Sequence, residues 1–387
     1  MPQDAREGLT QAVTLARDRR VPLYLVGGAV RDLLLRRAVE DVDVVVEGDA
    51  LAFAQRLARR LHASIRVHPR FATATLALPG GGRLDVAAAR SEAYDAPAAL
   101  PQVRPGGIEE DLRRRDFTVN SIAIRLSPGA PRVADPFGGG ADLAGRVLRM
   151  LHAGSPRDDP TRAFRAARYA NRLGFRIAPA SRRWIAAALA EGAFESLSGD
   201  RLRREIALIL SEPNRAGAVS LLTHLGLGTA LHPALSKGSS SARGRLARLE
   251  RLAVAFAGDA TWFAYLLAWA GDLTSKECGE LATRLNLPRR EAEALRRWPD
   301  TRADDRLTKG ASADELLAAS ALSRRAPRPH PVRDIGIRGR DLLAAGIPPG
   351  PAIGRALAAT REAVRLGRLD SLDELSFAIE TARREPA

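Results

Sequence analysis

The sequence predicts an α+β protein in which a mixed head of strands and helices precedes an all-helical remainder. Short β-rich runs bounded by Gly, Pro or charged residues occur within residues 1–150. Nearly everything after Arg157 is rich in Ala, Leu and Arg and has the spacing of amphipathic helices. A chain of 387 residues is also too long for one ordinary hydrophobic core, so we expect two or more packed units.

The positions of apolar residues locate the individual elements. The predicted strands are 23–26, 41–46, 72–78, 83–87 and 119–124. The predicted helices are 160–174, 180–191, 200–211, 214–226, 242–257, 259–271, 276–285 and 289–298. Four aromatic residues follow helical spacing and are interpreted as core of the helical part rather than as a base-stacking platform. They are Trp262, Phe263, Tyr265 and Trp269.

Three breaks interrupt the helical part and suggest unit boundaries. They are Glu212-Pro213-Asn214, a Ser-rich linker at 237–245, and a stretch at 324–332 that contains three prolines. The predicted units are a catalytic head at 1–150, a helical neck at 151–235, a helical body at 236–325 and a C-terminal helical tail at 326–387.

Composition points to a polyanionic partner. The net charge is +15 and the pI is about 11.1, and Arg-rich surfaces bind phosphates with release of counterions. Nucleic acid is the first candidate and an anionic membrane the second. Lysine occurs only at 237, 276 and 309, so a coding preference for arginine is an alternative source of the charge.

Several classes of protein are disfavoured. No apolar run approaches the ~18–20 residues of a membrane span, and the N-terminal residues lack the pattern of a signal peptide. A single cysteine, Cys278, excludes a disulfide within the chain and a multi-cysteine zinc site. We expect a cytoplasmic location.

A glycine pair joins the first predicted strand to a helix. Gly27 and Gly28 lie between Leu23–Val26 and an apolar helical run that carries Arg31 in its first turn. Glycine lets backbone N–H groups approach an anion, and the positive end of the helix favours one. The pattern is compatible with a triphosphate cradle and equally with an ordinary structural turn.

Two aspartates occur on the next predicted strand. Period-2 alternation places Asp41 and Asp43 on one face and the intervening valines on the other. Like charges this close are relieved by a divalent cation, and two such metals can activate a hydroxyl and neutralise a leaving pyrophosphate. Asp85, on another predicted strand, is a candidate third carboxylate. The alternative is a solvent-facing edge strand with ordinary aspartates.

Together these segments resemble the class II tRNA nucleotidyltransferase and bacterial poly(A) polymerase family, within the polymerase-beta-like nucleotidyltransferase superfamily. Five motifs occur in the order of that family, and the similarity spans about 21–365. They are GGAVRDLLL at 27–35 with DVD at 41–43, RRRDFTVNSIA at 113–123, DPFGGGADL at 135–143, DDPTRAFRAARYANRLGF at 158–175 and DRLRRE at 200–205. The segment at 339–354 is similar to one near the C-terminus of the family.

The resemblance implies a role for each matching position. Gly28 and Arg31 would contact the triphosphate, Asp41 and Asp43 would hold magnesium, and Arg115 with Asp116 would fix the ribose and phosphates. The resemblance also implies that Asp159 and Arg162 would hydrogen-bond to the base, with Arg165 and Arg168 nearby. The protein side chains would thereby replace a template.

The fourth motif also makes sense from its local chemistry. Pro160 suits the first position of a helix with Asp159 as its N-cap, and Arg162 follows one turn later. A carboxylate beside a guanidinium matches a base edge, at about 1–3 kcal/mol per bidentate contact by analogy with groove readout. The alternative is a simple cap beside a solvated or RNA-backbone face. The family usually has Glu at the positions of Asp158 and Asp200 in this chain. If the Glu at the first of these positions orients the base-selecting arginine in the family, that arginine is held in a different way here.

A long connection at 90–111 contains several Pro and Gly residues. Such connections tend to be functional or mobile, and the matching region of the family is a flexible loop needed to switch from C to A addition. An intact loop predicts that this chain adds A, whereas C addition stays open. A plain surface excursion is the alternative.

The predicted function is template-independent addition of CCA, or of the terminal A, to the 3′ end of tRNA. ATP and CTP are the expected substrates, Mg²⁺ the expected metal, and the acceptor and T-arm of tRNA the expected binding site of the helical part. No membrane or protein partner is indicated. The alternatives are a poly(A) polymerase acting on general RNA ends and a non-catalytic RNA-binding protein, although pure binding would not need Asp41 and Asp43.

Overall fold

A computed structural model describes residues 1–39, 41–94, 96, 98–99, 101–236, 239–255, 260–303, 313–322, 335–365 and 373–384. The strands are β1 Leu23–Val26, β2 Val42–Val46, β3 Ser64–His68, β4 Thr73–Ala77, β5 Arg83–Ala88, β6 Arg90–Ala93, β7 Gln102–Pro105, β8 Ala123–Ser127, β9 Arg132–Ala134, β10 Val147–Leu148 and β11 Arg176–Ile177. Ten of these eleven strands lie within residues 1–150, where the sequence predicts strands; β11 lies in the part predicted to be helical and pairs in parallel with β10.

Helices make up most of the remaining described chain. They are α1 Gln3–Arg19, α2 Gly28–Leu34, α3 Ala50–Leu61, α4 Ile108–Arg113, α5 Gly139–Ala144, α6 Ser155–Asp158, α7 Thr161–Leu173, α8 Pro179–Ala190, α9 Gly199–Leu210, α10 Arg215–His224, α11 Leu227–Leu231, α12 Ser239–Ala255, α13 Trp262–Trp269, α14 Ser275–Arg284, α15 Arg289–Ala303, α16 Ala313–Leu322, α17 Gly339–Ala344, α18 Pro351–Arg365 and α19 Glu374–Arg384. Within the described ranges, no helix is both long and apolar enough to cross a bilayer.

Contacts divide the chain into two compact units. The first comprises 1–206 and 221–230, and the second comprises 207–220 and 231–387. The four-part division at 150, 235 and 325 stays a prediction.

The first unit is built on a seven-stranded sheet with the strand order β3-β4-β5-β2-β1-β8-β9. β2 and β5 run parallel, and the other neighbours are antiparallel. Leu76, Leu84 and Val44 are buried on one face of this sheet, where α1 and α3 contact its strands. Alternation places Asp43 and Asp85 on the other face.

That second face is covered over only part of its width. Tyr24 and Val45 pair across β1 and β2, and they pack in one cluster with Leu112 and Ile108 of α4. The side chains of β3 and β4 on this face are exposed or half-buried, for example Arg66 and Thr75. The face that carries Asp43 and Asp85 is therefore covered over β1 and uncovered over β3.

The second unit is helical, with α13 at its centre. Phe263, Tyr265 and Trp269 are buried, while Trp262 is half-buried, which agrees with their interpretation as core. A separate apolar cluster near the C-terminus joins α17, α18 and α19 through Leu342, Ala356 and Ala378.

Predicted element bounds agree with the structure within a few residues, with two exceptions. The predicted strand at 119–124 is wrong in its first half, because Thr118–Asn120 forms a 3-10 turn and β8 begins at Ala123. Ser121 Oγ donates to the Phe117 carbonyl and Asn120 Nδ2 to Asp116, so the polar side chains stabilise a local turn instead of a strand.

The second exception is the Ser-rich linker predicted at 237–245. From Ser239 onward the chain is helical in α12, held by Ser241 and Arg245, which both donate to Asp272. Positions 237 and 238, the predicted helix ends at 256–257 and 259, and the Pro-rich stretch at 324–332 lie outside the described residues.

Candidate active site

The first unit contains a cavity of about 480 Å³ beside the ends of β1 and β2. α2, α7 and the segment 114–116 that follows α4 contribute most of its other walls. Nine predicted site residues line it, namely Gly28, Arg31, Asp41, Asp43, Arg115, Asp116, Asp159, Arg162 and Arg165. Asp85 and Arg168 do not line this cavity. The fold thus brings together residues that lie far apart in the sequence.

The glycine turn is required by its surroundings. Gly27 has φ +68°, and a Cβ at this position would lie 2.9 Å from Arg115 Nη1, so a side chain would be both strained and crowded. α2 begins at the next residue and carries Arg31, whose buried guanidinium donates to Asp32 and, at 2.8 Å, to Asn120 Oδ1. The arginine is therefore fixed before any ligand arrives.

Asp41 and Asp43 form the acidic end of the cavity. Asp41 precedes β2 and is exposed, whereas Asp43 is half-buried and lies in register with Asp85 on β5. Burial, followed by the charge of Asp85, raises the pKa of Asp43 to about 6. A carboxylate in this setting gains from a nearby cation.

The donor set fits a hard divalent metal. Asp85 accepts a hydrogen bond from Thr75 and forms an ion pair with Arg83, so the protein already holds this carboxylate. No group of three or more metal-ligating side chains occurs in the described part of the chain. A pair of carboxylates is nevertheless sufficient, because Mg²⁺ commonly binds one or two carboxylates together with substrate phosphates and water. Asp41 and Asp43 both line the cavity and are the candidate pair.

A buried carboxylate in α4 fixes the second motif. Asp111 is 0% exposed and accepts from both Arg114 and Arg115, at 2.6 and 2.8 Å. Burial acts to raise its pKa, but the two guanidinium groups outweigh it and hold the pKa of Asp111 below its ordinary value. These contacts hold the Arg115 guanidinium next to the glycine turn.

Asp116 links the phosphate end of the cavity to α7. Its Oδ1 accepts from Asn120 and its Oδ2 accepts from Arg165 at 2.6 Å, while Asn120 in turn accepts from Arg31. Burial acts to raise the pKa of Asp116, yet Arg165 and Asn120 more than compensate, so the pKa is lowered. One hydrogen-bonded chain thus runs from α2 to α7.

Tyr169 organises three arginines around one ring. The guanidinium carbons of Arg31, Arg165 and Arg168 lie 5.4, 5.7 and 4.8 Å from its centroid, within the range of cation–π attraction. Arg168 is buried and lies 3.8 Å from Glu205, which explains why it does not line the cavity.

Asp159 and Arg162 line the cavity at the start of α7. Asp159 has an extended backbone, and its Oδ1 accepts from the backbone N–H of Thr161, as expected of a capping carboxylate. The helix assignment begins at Thr161, one residue after Pro160, although Pro160 already has helical dihedrals. Arg162 is buried and donates to Ser155 Oγ and to the Arg114 carbonyl.

The predicted loop at 90–111 is largely structured. β6 and β7 pair as an antiparallel hairpin, and α4 follows. Tyr94, just after β6, lies against Arg162, with the guanidinium carbon 6.0 Å from the ring centroid. Burial raises the pKa of Tyr94, so its hydroxyl stays protonated and donates to Glu92.

Arg201 connects the segment between β6 and β7 to Asp159. Its Nη1 donates to the Ala98 carbonyl at 3.0 Å, and its Nη2 donates to Asp159 Oδ1 at 2.7 Å. Asp158 has a different neighbour, because His152 Nε2 lies 3.9 Å from its carboxylate. The bracing of Arg162 therefore comes from Ser155 and Arg114 rather than from Asp158.

Sequence reasoning did not identify several residues that shape the cavity. They are Asp32, Glu92, Tyr94, Asp111, Asn120, Tyr169 and Arg201. Asn120 and Arg201 lie inside segments that resemble family motifs, so those motifs are the signal that could have found them. Tyr94 and Glu92 lack such a signal because their contacts depend on how the hairpin folds.

Comparison with known proteins gives the family. Residues 23–149 match the Poly A polymerase head domain. The A-adding tRNA nucleotidyltransferase of Geobacter sulfurreducens is 37% identical over 71% of this chain and 32% of its own length. The CC-adding tRNA nucleotidyltransferase of Deinococcus radiodurans is 36% identical over 91% of this chain and 87% of its own length. The chain belongs to the tRNA nucleotidyltransferase family.

The fold of this nucleotidyltransferase agrees with that assignment. The Thermotoga maritima CCA-adding enzyme, solved in complex with tRNA, matches with a TM-score of 0.69 and 28% identity over 98% of this chain and 96% of that one. The match therefore includes both the polymerase-beta-like head and the helical remainder. The family resemblance and the α+β fold class predicted from the sequence are confirmed. Nucleotidyltransferases of this type use divalent metal ions, which agrees with the carboxylate pair.

Proposed function

We propose that this nucleotidyltransferase extends the 3′ end of tRNA without a nucleic-acid template, adding the terminal A and taking ATP and CTP as candidate substrates. One observation carries the proposal: Asp159 and Arg162 line the same 480 Å³ cavity as Asp41 and Asp43. A group that can read a base edge and a group that can hold a metal thus face one nucleoside triphosphate. Pure RNA binding would not need this combination.

The phosphate end of the cavity would bind the triphosphate. Arg31 and Arg115 are held by Asn120 and Asp111, respectively. Such pre-positioned guanidinium groups recognise phosphate oxygens with little loss of side-chain entropy. Gly27 leaves room for the phosphates because it carries no side chain. Charge placement before binding is the main protein contribution to phosphoryl transfer.

The other end would select the base. Asp159 offers carboxylate oxygens to an exocyclic amino group, and Arg162 offers N–H donors to a ring nitrogen or carbonyl. On the Watson–Crick edge, cytosine and adenine both present an amino group beside a ring nitrogen that accepts a hydrogen bond, whereas the ring nitrogen of uracil and of guanine on this edge carries a hydrogen. The two side chains would therefore favour CTP and ATP.

We propose Mg²⁺ as the metal and Asp41 and Asp43 as its protein ligands. When bound, it would supply Lewis-acid activation of the RNA 3′-hydroxyl and neutralise charge on the leaving pyrophosphate. The chemical change is formation of a bond between the 3′ oxygen and the α-phosphorus, with loss of the bond to pyrophosphate. Asp85, held by Thr75 and Arg83, would keep Asp43 in place and add negative charge nearby.

The RNA partner is proposed to be tRNA, bound through its acceptor and T-arm by arginines of the helical part. The net charge of +15 supports a polyanionic ligand. We also propose a cytoplasmic location, where a lone cysteine would stay reduced. We further propose that the chain is divided into four parts, a head, a neck, a body and a tail.

CC addition is a second candidate, since the Deinococcus radiodurans CC-adding enzyme matches 91% of this chain. The hairpin favours A addition, because Tyr94 contacts Arg162 and Ala98 contacts Arg201. A hairpin connected to both base-reading residues can set which base they accept.

The test uses three tRNA transcripts that end before CCA, after the first C and after CC. Each is incubated with CTP alone, with ATP alone and with both together, one of them labelled, and product length is determined at single-nucleotide resolution. Completion of all three to CCA identifies a full CCA-adding enzyme, and a single A added only after CC identifies an A-adding enzyme. Two C residues with no A would identify the CC-adding alternative. Long A tails on unrelated RNAs would identify a poly(A) polymerase and overturn the proposal.

A further inference from the structure

The open part of the sheet carries a row of polar side chains that begins at the catalytic carboxylates. Strand pairing aligns Asp43 with Asp85, Asp85 with Thr75, and Thr75 with Arg66. These four residues occupy equivalent positions on β2, β5, β4 and β3 and therefore point to the same face. With adjacent strands about 4.8 Å apart, Arg66 lies about 14 Å from Asp43 across the sheet.

The far end of this row is a basic groove. A depression of about 470 Å³ over β3 and β4 is lined by Arg66, His68, Thr75 and Arg83, among others. Arg83 is paired with Asp85. Arg66 is exposed and has no carboxylate at ion-pairing distance among the described residues. An unneutralised arginine remains available to an external anion.

The direction of the reaction places RNA on this side. In phosphoryl transfer, the attacking and leaving oxygens lie roughly in line with the phosphorus. The proposed triphosphate site is formed by Gly28, Arg31 and Arg115, on the α2 side of Asp43. The attacking 3′-hydroxyl must then approach Asp43 from the opposite side, which is the side of β5, β4 and β3.

We infer that Arg66, with His68 beside it, binds a phosphodiester of the accepting RNA strand close to its 3′ end. A stacked strand advances about 3.4 Å per nucleotide, so 14 Å corresponds to about four nucleotides. The contact therefore falls within the last four phosphodiesters. It holds the strand on the open face of the sheet and directs the 3′-hydroxyl toward Asp43. This inference rests on the proposed function, because it requires an RNA 3′ end as the acceptor.

The decisive experiment combines a protein variant with a charge-neutral RNA linkage. A tRNA transcript ending in CC carries one methylphosphonate, next to a 2′-deoxy sugar, at one of its last four linkages. The matched RNA control has the same 2′-deoxy sugar and an ordinary phosphodiester. Single-turnover addition of A is measured with the wild-type enzyme and with Arg66→Gln at varied RNA and ATP concentrations.

The wild-type enzyme should lose about threefold to fivefold in kcat/KM for RNA at one particular linkage, the magnitude of an exposed ion pair. Arg66→Gln should lose a similar factor on unmodified RNA and show no further loss at that linkage. Its KM for ATP should be unchanged. The slope of log kcat/KM against log salt should decrease by about 0.7, as expected for one lost contact to a single strand.

Two further variants separate this role from a general effect of charge. Arg66→Lys keeps the charge and should retain most of the activity and of the salt slope. Arg56→Gln removes an exposed arginine from α3, on the covered face of the sheet, and should behave as wild type. Equal melting temperatures would confirm that all variants are folded.

The inference is overturned if Arg66→Gln has wild-type kinetics for RNA, or if its loss adds to that of the methylphosphonate at every linkage. Failure of the wild-type enzyme to extend any unmodified tRNA is a different result. It would overturn the proposed function and this inference with it.

Discussion

Arg165 and Asp116 form an ion pair in which Nε and Nη2 of the arginine lie 2.9 and 2.6 Å from one carboxylate oxygen. The carboxylate is buried, and its second oxygen accepts from Asn120 and from the backbone N–H of Phe117. The pair joins α7 to the segment 113–123, which resembles the second family motif. Asp116 is therefore committed to protein contacts on both of its oxygens.

Removal of Arg165 should destabilise the first unit. Arg165→Met leaves the buried Asp116 carboxylate without its counter-charge, which costs about 3 kcal/mol, near the lower end for buried pairs because Arg165 is one-third exposed. Urea unfolding followed by circular dichroism measures the loss. The double variant Arg165→Met/Asp116→Asn should recover more than half of it. A double variant as unstable as the single one would show that the buried charge is not the cause.

Acid should destabilise the protein through the same carboxylates. The pKa values of Asp116 and Asp111 are lowered in the folded state, so the unfolded chain binds more protons than the folded one as the pH falls. Their stabilisation is complete above the unfolded pKa of about 3.9 and is lost as the pH falls through the lower folded pKa. Melting temperatures measured from pH 6 to pH 2 should decrease most steeply below about pH 4.

The matched variants identify the groups responsible. Arg165→Met/Asp116→Asn should show a shallower acid dependence than wild type, because one of the titrating carboxylates is absent. Asp18→Asn removes an exposed carboxylate, 60% accessible, and should leave the slope unchanged. Identical slopes for all three proteins would contradict the assignment.

Asp43 should be essential for nucleotide addition. Asp43→Asn keeps the shape of the side chain but halves the charge of the proposed metal-binding pair, so incorporation should fall by about 10³-fold or more. Affinity for tRNA, measured by filter binding, should stay within about threefold of wild type. Asp18→Asn is the control for loss of a carboxylate far from the cavity. Incorporation by Asp43→Asn within tenfold of wild type would rule out the catalytic role, and a chelator should reproduce the loss in the wild-type enzyme.

The sequence allowed the acidic pair, the glycine turn and the capped helix to be predicted because each depends on residues close together in the chain. Asp41 and Asp43 are two residues apart and line one cavity, and Asp159 caps a helix that starts within two residues. Local rules suffice for such features.

Other parts of the site could not be predicted, because they depend on contacts between distant segments. Arg162 reaches the Arg114 carbonyl, 48 residues away, and Arg201 reaches Ala98, 103 residues away. Strand 119–124 was mispredicted for a different, local reason, since Asn120 bonds to Asp116 four residues earlier and a turn replaces the extended backbone. The edge strand β3, which carries Arg66, was also not predicted, although Ser64–His68 alternates polar and apolar residues with the period of a strand; this alternation is the signal that could have found it.

Arg201 should control the choice between bases. It donates to Asp159 Oδ1 and to the Ala98 carbonyl, so Arg201→Ala frees the base-reading carboxylate to rotate and disconnects it from the hairpin segment. Because a good bidentate base contact contributes about 1–3 kcal/mol, partial loss should change the ratio of kcat/KM for ATP to that for CTP by about fivefold to twentyfold. The KM for tRNA should not change. Arg203→Ala is the matched control, because Arg203 lies on the same helix and pairs with the exposed Asp200. If Arg201→Ala lowers addition of both nucleotides equally and leaves the ratio at its wild-type value, Arg201 supports the fold of this segment but does not set specificity.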